Sequence, residues 1–319
     1  MNYTIDKFRK TYQNISKYIK KTPLELNERL SKKYNCNVYL KREDLQLCRS
    51  FKIRGALSKI LKQNQHNNHI VCASAGNHAQ GVAYSSQILN IKSDIFLPVT
   101  TPMQKVNRIK YLNGSSDGIH LVGNNFNECL EVALDYSNKN NANFIHPYDD
   151  VDVILGQGTI GIEIFENITP DYIFGGIGGG GLMSGVSLHS KNLTNKCIHV
   201  GVEPKSCPSM KLSIEKKELL TIKPKDNFVD GATVSKVGNL TFNICKETID
   251  YIYDIEIGKI CEIMIELYQE DGIIVEPAGA LALCGLDVMF SNSTKNIDKN
   301  VVCILSGGNN DISRYPDVI

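Results

Sequence analysis

A lysine with apolar neighbours on both sides is the first residue of the sequence whose chemistry needs an explanation. In the stretch SFKIRGA, residues 50–56, Lys52 lies between Phe51 and Ile53. A lysine on a solvated helix face usually has polar neighbours, because its ammonium group must stay in water. Two interpretations are open. Lys52 could lie on an exposed helix face, or its amino group could take part in binding or catalysis.

A run of four glycines, residues 178–181, is the second such feature. It lies in FGGIGGGGLMSG, after a predicted strand and before a predicted helix. Backbone without Cβ atoms can turn tightly, approach a phosphate closely and direct several N–H groups at it, beside the positive end of the next helix. The loop predicts a phosphate-binding site, and a tight turn that allows close helix packing is the structural alternative.

The same loop also fits a dinucleotide-binding pattern. Gly176, Gly178 and Gly181 satisfy G-x-G-x-x-G, and Glu203 follows the next strand at the offset expected of an acid that binds ribose. This alternative leaves Lys52, SAGNH and SGGNN without a role. A Walker-type nucleotide site is excluded, because no Lys-Ser or Lys-Thr pair follows the glycines.

Short β-rich runs alternate with helical patterns from Val38 onward. The runs are VYL, IVCAS, DIFLPV, IHLVG, NFIHP, YIFGGIG, CIHVGVEP, GIIVEP and VVCILSGG. Strands that alternate with helices predict parallel sheets covered by helices, so the predicted fold class is α/β. In such sheets ligands bind beyond the carboxyl ends of the strands. The segments there are SAGNH, GGIGGGG, EPAG and SGGNN.

Composition excludes several classes of protein. The 319 residues suffice for one large or two modest domains. Lys plus Arg (35) and Asp plus Glu (34) nearly cancel, and no basic block occurs, which argues against a nucleic-acid partner. Ten cysteines without a CxxC pair favour reduced thiols. Because no secretory signal and no apolar run of membrane-spanning length is found, we expect a cytoplasmic protein without a membrane partner.

Five motifs, taken together, resemble one group of enzymes. They are YLKREDLQ, SFKIRGA, SAGNHAQGVA, GGIGGGGLMSG and LSGGNN. They occur in the order found in the fold type II pyridoxal phosphate enzymes of the threonine dehydratase and serine racemase group, and the resemblance extends over nearly the whole chain. The stretches VTTPMQKVN, GQGTIGIEI, FVDGA, EPAGA and GGNNDISRYPDVI are most similar to the biosynthetic branch of the threonine dehydratases.

The resemblance implies that Lys52 forms the Schiff base with pyridoxal 5'-phosphate. The physical chemistry agrees, because a lysine among apolar side chains loses its proton at low cost, and the neutral amine is what condenses with an aldehyde. The implied cofactor-binding residues are Phe51, Lys52, Asn77, Gly178, Gly179, Gly180, Gly181, Leu182 and Ser306. The implied substrate-binding residues are Ser74, Ala75, Gly76, Asn77 and His78.

The resemblance also assigns roles within these sets. The four glycines would hold the cofactor phosphate, Asn77 the ring hydroxyl, and backbone N–H groups of the SAGNH turn the substrate carboxylate. Ser306 would face the pyridine nitrogen as a neutral partner, which favours elimination over transamination. By themselves, Asn77 could be a helix N-cap and Ser306 a turn residue. We expect His78 to make a local hydrogen bond rather than to act as a general base.

The implied reaction is the deaminating dehydration of L-threonine to 2-oxobutanoate and ammonia, and of L-serine to pyruvate, as the first step of isoleucine biosynthesis. A serine racemase or serine-preferring dehydratase is the alternative on the same scaffold. Ala75 disfavours it, because the racemases carry a serine there and alanine moves no proton. A cysteine-forming synthase, a silent binding protein and a dinucleotide oxidoreductase are more distant alternatives. No metal is expected, since Ser209 stands where a second carboxylate beside Glu203 would be needed.

The resemblance implies two parallel-sheet domains with the cofactor between them. Residues 1–68 and 146–319 would form a large, discontinuous cofactor-binding domain, and residues 69–145 a small domain that closes on the substrate. Biosynthetic relatives usually continue into an isoleucine-binding regulatory domain, whereas this sequence stops at Ile319. We therefore expect no inhibition by isoleucine. The resemblance further implies a homodimer or homotetramer.

Overall fold

A computed structural model describes residues 3–63, 68–74, 76–194, 196–291 and 298–311 of the chain. The helices are α1 (Ile5–Ile15), α2 (Glu28–Tyr34), α3 (Lys52–Gln63), α4 (Asn77–Leu89), α5 (Met103–Asn113), α6 (Phe126–Lys139), α7 (Val151–Phe165), α8 (Gly181–Lys191), α9 (Ser209–Lys216), α10 (Asn239–Thr248), α11 (Ile257–Asp271) and α12 (Pro277–Phe290). None of these helices is both long and apolar enough to cross a membrane.

The strands form two separate sheets. They are β1 (Leu24–Leu26), β2 (Asn37–Arg42), β3 (His69–Ala73), β4 (Lys92–Leu97), β5 (Ile119–Leu121), β6 (Asn143–Phe144), β7 (Tyr172–Gly176), β8 (Ile198–Pro204), β9 (Tyr251–Ile255) and β10 (Asn300–Leu305). The large sheet has the order β1-β2-β10-β7-β8-β9, and the small sheet has the order β5-β4-β3-β6. Only the β1–β2 pair is antiparallel among the described strands.

Helices cover both sheets, and the inner strands are largely apolar. In β10, for example, residues 301–305 are all fully buried, as expected for a parallel strand with helices on both faces. The α/β prediction with parallel sheets is confirmed. The small sheet draws all four strands from residues 69–144, whereas the assignment of domain boundaries stays a prediction.

Two details of the strand prediction were wrong. The GIIVEP run is not a strand, because Gly272 adopts a left-handed conformation (φ 64°) at the end of α11 and Pro277 already begins α12. Residues 272–276, which connect the two helices, pair with none of the described strands. Conversely, the prediction missed β1 and β9 at the two edges of the large sheet, where Leu26 and Tyr251 are half exposed.

Helix α7 lies between the two helices that begin at the candidate site. Asp150 caps its N-terminus by accepting hydrogen bonds from the backbone N–H groups of Asp152 and Val153. A Cβ at Gly156 would come within 2.5 Å of the Arg54 carbonyl oxygen on α3, and a Cβ at Gly158 within 2.7 Å of the Gly185 carbonyl oxygen on α8. Glycine therefore lets α3 and α8 pack directly against α7. This packing fixes the positions of the N-terminal ends of both helices.

Candidate active site

One cavity at the carboxyl ends of β7 and β10 collects most of the predicted cofactor residues. Its lining residues are Phe51, Lys52, Gly176, Gly178, Gly179, Gly180, Gly181, Leu182, Gly231, Ala232, Ala278 and Ser306. The position agrees with the expectation that ligands of parallel sheets bind beyond the strand ends. Residues that are far apart in sequence, from SFKIRGA to SGGNN, therefore face one small space.

Lys52 is the first residue of α3, and its side chain points across the cavity. Its Nζ donates a hydrogen bond to the Pro147 carbonyl oxygen at 2.8 Å and lies 5.3 Å from the centre of the Phe51 ring. Burial lowers the pKa of Lys52 from its usual value to about 8, although the nearby Glu276 carboxylate works in the opposite direction. The neutral amine, which is the form that attacks a carbonyl carbon, is therefore far more populated near neutral pH than it is for an exposed lysine.

The glycine loop connects β7 to α8 and has no room for side chains. A Cβ at Gly179 would overlap the Tyr148 ring, and Gly180 has a φ of +92°. The Thr241 hydroxyl fixes the loop by donating to the Gly179 carbonyl oxygen at 2.6 Å. No side chain caps the N-terminus of α8. Its first N–H groups therefore face the cavity at the positive end of a helix, which suits a phosphate.

Ser306 follows β10 and is buried. Its backbone carbonyl accepts the Phe51 N–H at 3.1 Å, so it also fixes the start of the lysine segment. Its hydroxyl donates to the Ala278 carbonyl oxygen at 3.2 Å. A hydroxyl can rotate to serve another partner, and it carries no charge, as the predicted role at a pyridine nitrogen requires.

Asn77 begins α4, next to the small sheet, and makes two hydrogen bonds to the segments that precede α12 and follow β10. Its Nδ2 donates to Glu276 Oε1 at 2.6 Å, and its Oδ1 accepts from Asn309 Nδ2 at 2.7 Å. Asn309 Nδ2 also donates to the Cys48 carbonyl oxygen at 2.9 Å. The side-chain amide of Asn77 is therefore held at the edge of the cavity from two sides.

The predicted substrate loop leads from β3 into α4. The Gly76 N–H donates to the Ser74 hydroxyl at 3.2 Å, while Ala75 lies outside the described residues. His78 is buried, and its Nε2 donates to the Ile145 carbonyl oxygen at 2.8 Å. Burial, assisted by the charge of Lys52, lowers the pKa of His78 to about 3. The imidazole is neutral and engaged, as expected for a local hydrogen-bonding residue.

Two neighbours of the cavity received no individual role from the sequence, although EPAG, which contains Glu276, was placed among the ligand-binding segments. The first is the segment after β6, where Pro147 contacts Lys52 through its carbonyl and Tyr148 packs against the glycine loop. The second is Glu276, which is buried beside Asn77. Burial and the charge of Asp230 raise the pKa of Glu276 to about 7. The sequence does carry a signal for Glu276, because it lies between the apolar residues Val275 and Pro277. A buried glutamate is rarely found without a hydrogen-bonding or charged partner.

Glu203 has a different role from either one considered in the sequence. Its carboxylate accepts the backbone N–H groups of Met210 and Lys211, both at 2.8 Å, in the first turn of α9. Burial nevertheless raises its pKa to about 8. Ser209 donates to the Val234 carbonyl oxygen at 2.6 Å. Glu203 thus caps a helix, and within the described part of the chain no group of three or more His, Cys, Asp or Glu could hold a metal.

Comparison with known proteins agrees with this geometry. A family model described as "Pyridoxal-phosphate dependent enzyme" matches residues 15–307. "L-threonine dehydratase biosynthetic IlvA" of Staphylococcus epidermidis is 45% identical over 315 residues, which cover 96% of this chain and 74% of that protein.

Two solved structures have nearly the same fold. The processed form of threonine deaminase isoform 2 from Solanum lycopersicum has a TM-score of 0.90 and 36% identity, with 98% of this chain and 92% of that chain covered. Maize serine racemase has a TM-score of 0.91 and 28% identity, with 98% and 96% covered. Both a deaminase and a racemase therefore share this architecture.

Proposed function

The chain belongs to the pyridoxal-phosphate-dependent enzyme family, and we propose that it catalyses the deaminating dehydration of L-threonine to 2-oxobutanoate and ammonia. The single observation that carries the proposal is a half-buried lysine of lowered pKa that shares one cavity with a four-glycine loop and Ser306. The substrate follows from the similarity to biosynthetic threonine dehydratases. L-Serine would give pyruvate by the same route, and the reaction with threonine belongs to isoleucine biosynthesis.

The residues at the cavity fit the cofactor. The glycine loop is a cradle that a side chain would fill, and the N–H groups at the start of α8 would bind the phosphate. Lys52 would attach to the aldehyde, Asn77 would donate to the ring hydroxyl, and the Ser306 hydroxyl would serve the ring nitrogen. When bound, pyridoxal phosphate supplies an electron sink for the bonds at the substrate's Cα.

Lys52 also has the properties of the base. In its neutral form, Nζ would take the proton from the substrate's Cα, since its pKa of about 8 lies near neutral pH. The backbone N–H groups at residues 74–78 would receive the substrate carboxylate. His78 cannot compete as a base, because its pKa of about 3 makes it a poor proton acceptor.

The cellular setting and the assembly are also proposals. All ten cysteines are free and buried, which supports a reducing compartment such as the cytoplasm. The similarity to enzymes of the threonine dehydratase group supports a homodimer or homotetramer, and the near balance of charges argues against a nucleic-acid partner.

The visible absorption spectrum of the purified protein, recorded before and after L-threonine is added, tests the proposed function. We expect a cofactor band that shifts on addition while 2-oxobutanoate accumulates. The control is Lys52→Ala, which should lose both the band shift and the product. A parent protein that shows no band after incubation with pyridoxal phosphate would overturn the proposal.

A further inference from the structure

Two acceptors, the Cys48 backbone carbonyl and the Glu276 carboxylate, determine which way the Asn77 amide points. At one end the Cys48 backbone carbonyl can only accept, so Asn309 must present its NH₂ group to it. The same NH₂ group then donates to Asn77 Oδ1. At the other end the Glu276 carboxylate accepts from Asn77 Nδ2. A flipped amide would set oxygen against oxygen at Glu276 and NH₂ against NH₂ at Asn309.

This arrangement leaves one N–H of Asn77 uncommitted among the described residues. Asn77 carries two N–H donors on Nδ2, and one of them goes to Glu276. A side-chain amide can exchange the positions of its oxygen and its NH₂ group at little cost when its neighbours bind either group equally well. Here the Glu276 carboxylate makes the exchange costly, because it is buried and needs a donor.

The position of Glu276 is fixed independently of Asn77. Its backbone N–H donates to the Gly307 carbonyl oxygen at 3.1 Å. Its carboxylate lies so close to Gly307 that a Cβ there would overlap Oε1, and the N–H of Asn309 also donates to it. The charged groups around it are Asp230 and Lys105, which form an ion pair with each other, and Lys52 across the cavity.

We propose that Glu276 is a positioning residue whose carboxylate holds the Asn77 amide in one orientation, so that the uncommitted N–H donates to the ring hydroxyl of the cofactor. This inference rests on the proposed function, because the contact between Asn77 and the cofactor is part of it. A flipped Asn77 would present its carbonyl oxygen to the ring oxygen instead. Glu276 therefore controls cofactor binding through Asn77, without touching the reacting atoms.

Two substitutions at one position separate an acceptor from a charge. Glu276→Gln keeps an oxygen that can accept from Asn77, whereas Glu276→Leu removes the acceptor at similar size. We measure the dissociation constant of pyridoxal phosphate by titrating the cofactor-free protein, alongside threonine turnover. Glu276→Leu should bind the cofactor about tenfold more weakly, near the lower end of what loss of a hydrogen bond to a charged group costs. Glu276→Gln should recover most of this affinity, to within about twofold of the parent, because its oxygen still accepts from Asn77.

The opposite side of the amide provides a second test that does not depend on how well Glu276→Leu folds. Asn309→Leu removes the donor to Asn77 Oδ1 and should weaken cofactor binding severalfold. In the double variant with Glu276→Leu, the two losses should not add, because both act through one amide. Parent-like affinity in Asn309→Leu would overturn the inference.

The possible outcomes also separate this inference from the proposed function. A parent protein that binds no pyridoxal phosphate or forms no 2-oxobutanoate contradicts the proposed function. A working parent whose Glu276→Leu variant keeps full affinity contradicts only the positioning role. The role is also contradicted if Glu276→Gln is as impaired as Glu276→Leu, since the negative charge rather than the acceptor would then matter.

Discussion

Replacement of Arg54 by methionine should strongly destabilise the protein. Arg54 lies on α3, two residues after Lys52, and none of its surface is exposed. Its guanidinium donates five hydrogen bonds: two to Glu43, two to Glu163 and one to Thr159. Without it, two buried carboxylates would share the single charge of Lys41, which donates to Glu163 at 2.6 Å.

The magnitude follows from burial. Removal of one partner from a buried ion pair costs about 3–5 kcal/mol, because the other charge stays in a medium that solvates it poorly. Arg29→Met is the matched control, since Arg29 also faces two carboxylates, Glu266 and Asp271, but 29% of its side chain is exposed. Solvent screens that network, so its loss should cost about 1 kcal/mol.

Urea denaturation at several pH values is the assay. Burial by itself would raise the pKa of Glu163, but Arg54 and Lys41 outweigh it and hold the pKa below its usual value. A lowered carboxylate pKa stabilises the fold above the pKa of the unfolded state, and this contribution is lost as the pH falls through the folded pKa. The difference in free energy of unfolding between the parent and Arg54→Met should therefore become smaller under acidic conditions. Equal losses in Arg54→Met and Arg29→Met at pH 7 would refute the reasoning.

Three further predictions concern the cavity. Gly179→Ala should weaken pyridoxal phosphate binding at least about tenfold, because its Cβ overlaps the Tyr148 ring. Gly258→Ala is the control, since this position on α11 faces open space and the substitution should leave binding unchanged. Equal affinities of the two variants would contradict the role of the glycine loop in phosphate binding. Cofactor uptake by the cofactor-free protein should accelerate as the pH rises, with a midpoint near the Lys52 pKa of about 8, which burial lowers. A midpoint near the usual lysine pKa of 10.5 would contradict this prediction. L-Serine should yield pyruvate with little D-serine, since Ala75 has no proton to transfer, and comparable rates of both would argue for the racemase.

The sequence predicts those parts of the site that depend on residue type within a short segment. Lys52 belongs to this class, because its amine lies among apolar neighbours in the sequence. The four glycines also belong to it, because their lack of a Cβ lets the backbone approach a phosphate. The α/β class was predictable for a similar reason, since alternating strands and helices form a regular pattern.

The remaining parts depend on contacts between distant segments. Pro147 contributes a backbone carbonyl to Lys52, and every residue has such a group, so the sequence carries no signal for it. Glu276 contacts Asn77 across 199 residues of chain. The strand prediction failed at GIIVEP because an apolar run by itself does not indicate whether a neighbouring strand is free to pair.

The place of β10 in the large sheet has a consequence for synthesis of the chain on the ribosome. β10 is formed by residues 300–305, yet it lies in the middle of the sheet, between β2 and β7. The early strands β1 and β2 connect to the rest of that sheet only through it among the described strands. The small sheet, whose strands are contiguous in sequence, can assemble during translation, whereas the large sheet must wait until its last strand has emerged. The β1–β2 pair therefore lacks its link to the rest of the large sheet for most of the time that translation takes, and nascent chains stalled before β10 should be sensitive to protease in β1 and β2.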